Sequence, residues 1–158
     1  MFKKIVTIFI VLTIIPFMCF AAESLNVYEV RMINSPKIVD IVLDWVTAAD
    51  GSFTAVALSS KGAPFDVAYP VYIQFIYTDP GAAAPTDNYD LNFVSAEFPG
   101  VDILGEAAYN RDTANSEGPV SPSIDYIAID LNKITFDVLN NIVNSGNGRI
   151  RLRCIKAD

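Results

Sequence analysis

No histidine occurs in these 158 residues, and there are only two cysteines and one tryptophan. The missing imidazole excludes the most chemistry. It removes serine and cysteine triads that use a histidine base, the usual His-containing zinc sites, and most proton shuttling at neutral pH. One of the two cysteines, Cys19, lies in an apolar N-terminal stretch. If that stretch is removed as a leader, Cys154 remains alone. Thiolate clusters, dithiol redox chemistry and an intramolecular disulfide then go as well, and an exported chain has to rely on its core. No P-loop or dinucleotide fingerprint is present, because "GNGR" at residues 146–149 reads as a turn rather than the opening of a phosphate-binding helix. Basic residues are also scarce: 11 Lys and Arg stand against 18 Asp and Glu, a formal charge of −7. Lys3 and Lys4 fall in the leader, so the remainder carries −7 − 2, or about −9. That excess repels phosphate backbones and argues against nucleic acid as the partner.

What is present begins with "MFKKIVTIFIVLTIIPFMCFAA". A short basic start, an unbroken apolar run and small residues at the end have the layout of a secretory signal peptide over residues 1–22. Cleavage after Ala21 puts Cys19 and Ala21 at the small-residue positions, whereas cleavage after Ala22 puts Phe20 there. Acylation at Cys19 and an uncleaved membrane anchor are the other two readings of the segment. Residues 23–158 suit a single domain, exported to a periplasmic or extracellular setting and free of the membrane once the leader is cut. No later apolar run is long enough to span a bilayer, and no repeat period is visible.

Beyond the leader the dominant pattern is alternation with period two, the signature of half-buried strands. In "KIVDIVLDWVT" the residues Val39, Ile41, Leu43 and Trp45 share one face, with Asp40 and Asp44 on the other. "AADG" is a turn, with "SFTAVALS" expected as the hairpin partner. "PVYIQFIYT" places Val71, Ile73, Phe75 and Tyr77 on one face and Tyr72 and Gln74 on the other. "NYDLNFVS" turns Tyr89, Leu91 and Phe93 inward. "LGEAAYNRDTANSEGPVSPS" is polar and punctuated, and reads as a long surface excursion. "SIDYIAIDL" and "KITFDVLNNIVN" follow as strands, the second bent or turning helical near Val138 to Val143. "NSGNG" then leads into "RIRLRCIK", where Arg149, Arg151 and Arg153 alternate with Ile150, Leu152 and Cys154. Seven or eight short strands at this spacing predict an all-β fold, an antiparallel β-sandwich or jelly roll preceded by an N-terminal signal helix.

With histidine and thiol chemistry excluded, carboxylates remain. Asp79, Asp87, Asp90, Asp102, Glu106 and Asp112 offer pairs of the kind glycoside hydrolysis needs, though acids this numerous cap turns far more often. Calcium, which takes six to eight oxygens from loop side chains, fits the segment "TDPGAAAPTDNYD" better. Asp79, Asp87, Asn88 and Asp90 are its candidate ligands, against the alternative that Pro80-Gly81, Pro85 and Asp87 only shape a turn. No other cofactor is expected, and no catalytic residue is assigned. Tyr72 and the ladder Arg149, Arg151 and Arg153 are the candidates for partner binding, with pairing to acids on a neighbouring strand as the competing role. Trp45 and Cys154 fall on apolar faces and read as core residues.

Taken as a series, "TDPGAAAPTDNYDLNF", "GVDIL" and "NRDTANSE" resemble segments of small phage and prophage proteins of virion-structural type, over roughly residues 38–152. The resemblance carries no catalytic signature and implies no site residue. It implies a non-enzymatic structural or interaction module, a virion accessory or an exported surface protein, whose loops at residues 59–69, 79–88 and 105–123 meet a protein partner or a second copy. An exported glycan- or calcium-binding β-sandwich is the alternative. The signal peptide departs from the resemblance, because virion parts normally assemble in the cytoplasm.

Overall fold

The computed structural model describes residues 22–31, 37–61, 70–122 and 128–157. The expected signal segment, apart from Ala22, lies outside the described residues, as do residues 62–69 of the expected first contact loop. Among the described residues no helix is long and apolar enough to cross a membrane. Eight strands are described: β1 (Ser24–Arg31), β2 (Ile38–Val46), β3 (Val56–Ala57), β4 (Val71–Pro80), β5 (Asp90–Ser95), β6 (Glu117–Val120), β7 (Ile134–Leu139) and β8 (Asn147–Lys156). They form two antiparallel sheets, one of five strands in the order β1-β2-β8-β4-β6 and one of three in the order β3-β7-β5. Among the described residues the fold is all-β, as the alternation predicts.

The alternation explains which face of each sheet is covered. Val39, Ile41, Leu43 and Trp45 of β2, Ile150, Leu152 and Cys154 of β8, and Leu91, Phe93, Ile134 and Phe136 of the second sheet join one hydrophobic cluster. Each such aliphatic or Phe side chain, fully buried, contributes roughly 1.5–3 kcal/mol of transfer free energy. Trp45 packs against Tyr89, centroids 5.6 Å apart, and Phe93 against Phe136 at 5.1 Å, with the rings tilted as their quadrupoles prefer. Gly148 makes room for the indole: a β-carbon there would stand 2.7 Å from Trp45 Cζ2 and 3.1 Å from the Asp79 carbonyl oxygen.

Several expectations are corrected. "AADG" does turn, with Gly51 at φ 83°, but "SFTAVALS" does not pair back onto β2. Both edges of β2 are already taken, by β1 and β8, and Val56–Ala57 joins β7 in the other sheet. Strand β1 itself was not anticipated from "SLNVYEVR". Strand β4 carries a bulge at Gln74, since Ile73 pairs with Cys154 and Phe75 with Arg153. One extra residue reverses the facing of everything after it. Val71 and Ile73 therefore point inward with Ile76 and Thr78, while Phe75 and Tyr77 join the outer face.

The polar excursion is not wholly on the surface. Leu104 and Ala108 are fully buried, and Glu117–Val120 becomes an edge strand. "KITFDVLNNIVN" ends as a strand at Leu139, with Asn140 at φ 58° and no helical turn after it. Residues 123–127 of "SIDYIAIDL" lie outside the described residues, and the rest gives only a single bridge from Ile129 to Val71 and a 3-10 turn at Leu131–Lys133. "NSGNG" carries the chain from one sheet to the other rather than closing a hairpin between neighbours.

At one end of the sheets Asn141 ties four segments together. Its Nδ2 donates to the carbonyls of Gly51 (2.9 Å) and Val143 (3.1 Å), and its Oδ1 accepts from the Thr86 N–H at 2.9 Å. Thr47, fully buried, receives a further Nδ2 contact at 3.3 Å. Deleting the amide strands several partly buried groups at once. Asn141→Ala is expected to lower unfolding free energy by about 2–3 kcal/mol, read as the shift of the urea midpoint. A loss below about 0.5 kcal/mol, the level of an ordinary surface change, would contradict the role of this hub.

Candidate functional site

The candidates for partner binding lie on the outer face of the five-stranded sheet. Register places them in rows. Asp44, Arg149 and Asp79 stand side by side across β2, β8 and β4. The next row holds Tyr28, Val42, Arg151 and Tyr77, and the next Val30, Asp40, Arg153 and Phe75. Tyr72 occupies the far end of the same face, opposite Ile155. All four partner-binding candidates are thus brought to one surface.

They are not equivalent. Arg149 grips Asp44 through two hydrogen bonds, Nε to Oδ1 at 2.6 Å and Nη2 to Oδ2 at 3.0 Å. Arg153 grips Asp40 in the same way, at 2.9 and 3.0 Å, and its guanidinium lies 5.9 Å from the Tyr77 ring centre. Hydrogen bonding from the partner carboxylate raises both guanidinium pKa values. For these two arginines the neighbouring-strand role holds. Arg151 differs: it is exposed, it stands opposite Val42 and Tyr77, and it makes no ion pair or hydrogen bond with any described residue.

Beside Arg151 the sheet margin forms a hollow of about 230 Å³ between β4, β6 and β8, with Tyr77, Asp79, Ser116, Glu117, Arg149 and Arg151 on its walls. A second bulge shapes it. Ile76 pairs with Val120 and Thr78 with Glu117, so two residues of β6, Gly118 and Pro119, oppose Tyr77 alone. Gly118, at φ 128°, permits this close approach: a β-carbon there would stand 2.7 Å from the Ile76 carbonyl oxygen and 3.0 Å from Tyr77 Cδ1. Asp79 Oδ1 accepts from Ser116 Oγ at 2.7 Å, and Glu117 Oε2 accepts from the Asp112 N–H at 2.9 Å while facing Arg111 at 3.5 Å. Asp79 Oδ2 and Glu117 Oε1 have no partner among the described residues. Tyr77 and Ser116 were not singled out from sequence, and strict alternation assigned Tyr77 to the wrong face.

The candidate calcium ligands do not gather. Asp79 lies on the sheet margin. Asn88 is held at φ 62°, its N–H donating to the Arg111 carbonyl at 3.1 Å. Asp90 is buried, with one oxygen taken by the Asn110 N–H at 2.8 Å and the other by Asn140 Nδ2 at 2.5 Å. Asp87 has no polar partner among the described residues. No three acidic or thiol side chains among the described residues are grouped as a metal would require.

Other acids are committed to backbone. Asp102 accepts from the N–H groups of Phe93, Leu104 and Glu106 at 3.0, 3.3 and 2.7 Å. Asp112 caps Ala114 and Asn115, and the Asn115 side-chain hydrogen bond, followed by the Ala114 N–H, holds its carboxyl below the ordinary value. Burial pushes the Cys154 thiol well up, in keeping with a core residue.

Two outcomes follow from this geometry. Asp40 is almost fully buried while Asp44 is half exposed. Asp40→Ala strands Arg153 in a partly dry site and is expected to cost about 1–3 kcal/mol, whereas Asp44→Ala should cost less than about 1 kcal/mol. Urea denaturation of the two variants checks the order, and equal losses would contradict it. Because Asp90 already has both oxygens bonded and no three acidic side chains group among the described residues, calcium or EDTA should leave the melting temperature unchanged. A rise of several degrees with calcium would restore the metal reading. Comparison with protein-family models, curated proteins and solved structures finds no match to this chain.

Proposed function

We propose that this protein is a non-enzymatic β-sandwich interaction module, exported after loss of its signal peptide, that works by presenting the outer face of its five-stranded sheet to a partner. The supporting observation is the composition of that face. Tyr28, Tyr72, Phe75, Tyr77, Arg149, Arg151 and Arg153 stand together on a continuous hydrogen-bonded framework. Tyrosine and arginine dominate binding hot spots because each combines a large contact area with directional polar groups. The framework keeps the loss of order on binding small, since the side chains stand on paired strands rather than on a loop. A virion accessory and an exported surface protein both require such a face. Gene neighbours separate the two settings: capsid, portal or tail genes favour the first, and envelope or secretion genes the second.

The test is retention of the purified protein on envelopes or particles of the organism that encodes it. Wild type should be retained, Tyr72→Ala/Arg151→Glu should lose at least tenfold in retention, and Lys133→Ala, which directly precedes β7 of the three-stranded sheet, should behave as wild type. Equal retention of all three would remove the outer face from the function.

A further inference from the structure

The hollow beside Arg151 has a chemistry more specific than a general contact surface. It holds donors and acceptors in close company. Arg151 offers all of its N–H groups, since none is bonded to a described residue, and Asp79 Oδ2 and Glu117 Oε1 remain open as acceptors. Tyr77 contributes an apolar wall, against which Gly118 allows the β6 backbone to lie closely. At about 230 Å³ the space falls below the range that takes a drug-sized ligand, roughly 300–1,000 Å³, and suits a single ring.

Each class of ligand can be weighed against those walls. An apolar ligand would bury the two open carboxylate oxygens and the guanidinium without partners, at a cost of several kcal/mol by general experience with unsatisfied charges. An acidic peptide or a phosphate would suit Arg151 but brings no ring hydroxyls to donate to the open oxygens of Asp79 and Glu117, which would then face its charge without a hydrogen bond. A cation would suit those acids and be repelled by Arg151 and Arg149. A sugar ring satisfies all of them, because hydroxyls donate to the carboxylates while accepting from arginine, and its C–H face lies against tyrosine. If the ring also bears a carboxylate, Arg151 can grip it with two parallel hydrogen bonds, the geometry for which guanidinium is best fitted.

We infer that the hollow formed by Tyr77, Asp79, Ser116, Glu117 and Arg151 is a binding site for a uronate residue of a glycan, an assignment that rests on the outer sheet face being the interaction face. Arg151 takes the carboxylate, and Asp79 and Glu117 accept hydroxyl protons. Ser116 holds Asp79 in place. Selectivity for the uronate over the matching neutral sugar resides in Arg151.

Titration calorimetry of the purified protein tests this with galacturonate and glucuronate oligosaccharides, the corresponding neutral hexose oligosaccharides, and a polyglutamate peptide. At least one uronate series should bind about tenfold or more tightly than its neutral counterpart. Arg151→Ala should abolish that preference, Arg151→Lys should restore part of it, and Asp79→Asn should weaken charged and neutral sugars alike. Arg151 is exposed, so these variants are expected to keep the wild-type circular dichroism and urea midpoint. Absence of uronate binding, uronate binding unchanged in Arg151→Ala, or equal binding of polyglutamate would each overturn the assignment. If no saccharide binds but the outer-face variant still loses retention on envelopes, the sugar site falls and the interaction face stands. If retention is also indifferent to that variant, both fall.

Discussion

Strand β8 is the constraint on which both halves of the molecule depend. It lies between β2 and β4, pairs with each over nearly its whole length, and alternates between cationic and apolar residues from Arg149 to Cys154. Ile150, Leu152 and Cys154 face the other sheet with no exposed surface, so Arg149, Arg151 and Arg153 have no alternative to the outside. A slip of one residue would drive three guanidinium groups into the core, at a cost far beyond the stability of a domain of this size. Register is therefore fixed by the apolar face and expressed by the polar one. Asp40 and Asp44 reinforce it, because each meets its arginine only at this alignment.

Two bulges, one in β4 and one in β6, then convert a regular sheet into one with a feature. Gln74 is the extra residue in the pairing with β8, and it rotates Phe75, Tyr77 and Asp79 outward beside the arginines. Without it Tyr77 would be in the core. The irregularity opposite Tyr77 belongs to β6, where Gly118 and Pro119 occupy the space of one residue. Extra residues strengthen local twist and lift the strand, and such departures from regular pairing concentrate at sheet edges and next to sites. Both lie in the pairing of β4, one with β8 and one with β6, within a few residues of the hollow. Tyr89 illustrates the opposite case: its phenol is fully buried and burial raises its pKa, so it serves packing against Trp45 rather than recognition.

Local alternation was legible wherever the strand was regular. Val39 to Trp45, Tyr89 to Phe93 and Ile150 to Cys154 all lie on the faces their period predicts, and pairing with acids of a neighbouring strand, the competing role for the arginine ladder, is what Arg149 and Arg153 show. What local pattern does not encode is which strands become neighbours. β2 and β8 are paired across about a hundred residues, through bonds such as Arg149 to Asp44, and no turn signal marks so distant a partner. The false hairpin after "AADG" failed for that reason, since a strong turn says that the chain reverses but not which edge is vacant. β4 failed at a single residue, because nothing in "YIQFIY" distinguishes a bulge from unbroken pairing. The calcium candidates are close in sequence, yet Asp79, Asp87 and Asp90 form no acidic group among the described residues. Asp90 went into the sheet and spent its oxygens on Asn110 and Asn140.

Charge on the outer face has to be counted after pairing rather than before. Three arginines in alternate positions suggest a basic stripe, yet Asp44 and Asp40 neutralise two of them within hydrogen-bonding distance. Asp79 lies next to Arg149 in the same row. Beyond a Debye length, about 10 Å at 0.1 M salt, an approaching polyanion meets the field of a chain whose formal charge is −7. Such a face gives no long-range steering to a phosphate backbone. Its discrimination has to come from contact, where the guanidinium of Arg151 and two carboxylate oxygens, all without partners among the described residues, impose a pattern of donors and acceptors. A surface that neutralises most of its own charge and leaves a few polar groups open selects by geometry. That makes the placement of Tyr77 and Gly118, rather than the number of arginines, decisive for what it recognises.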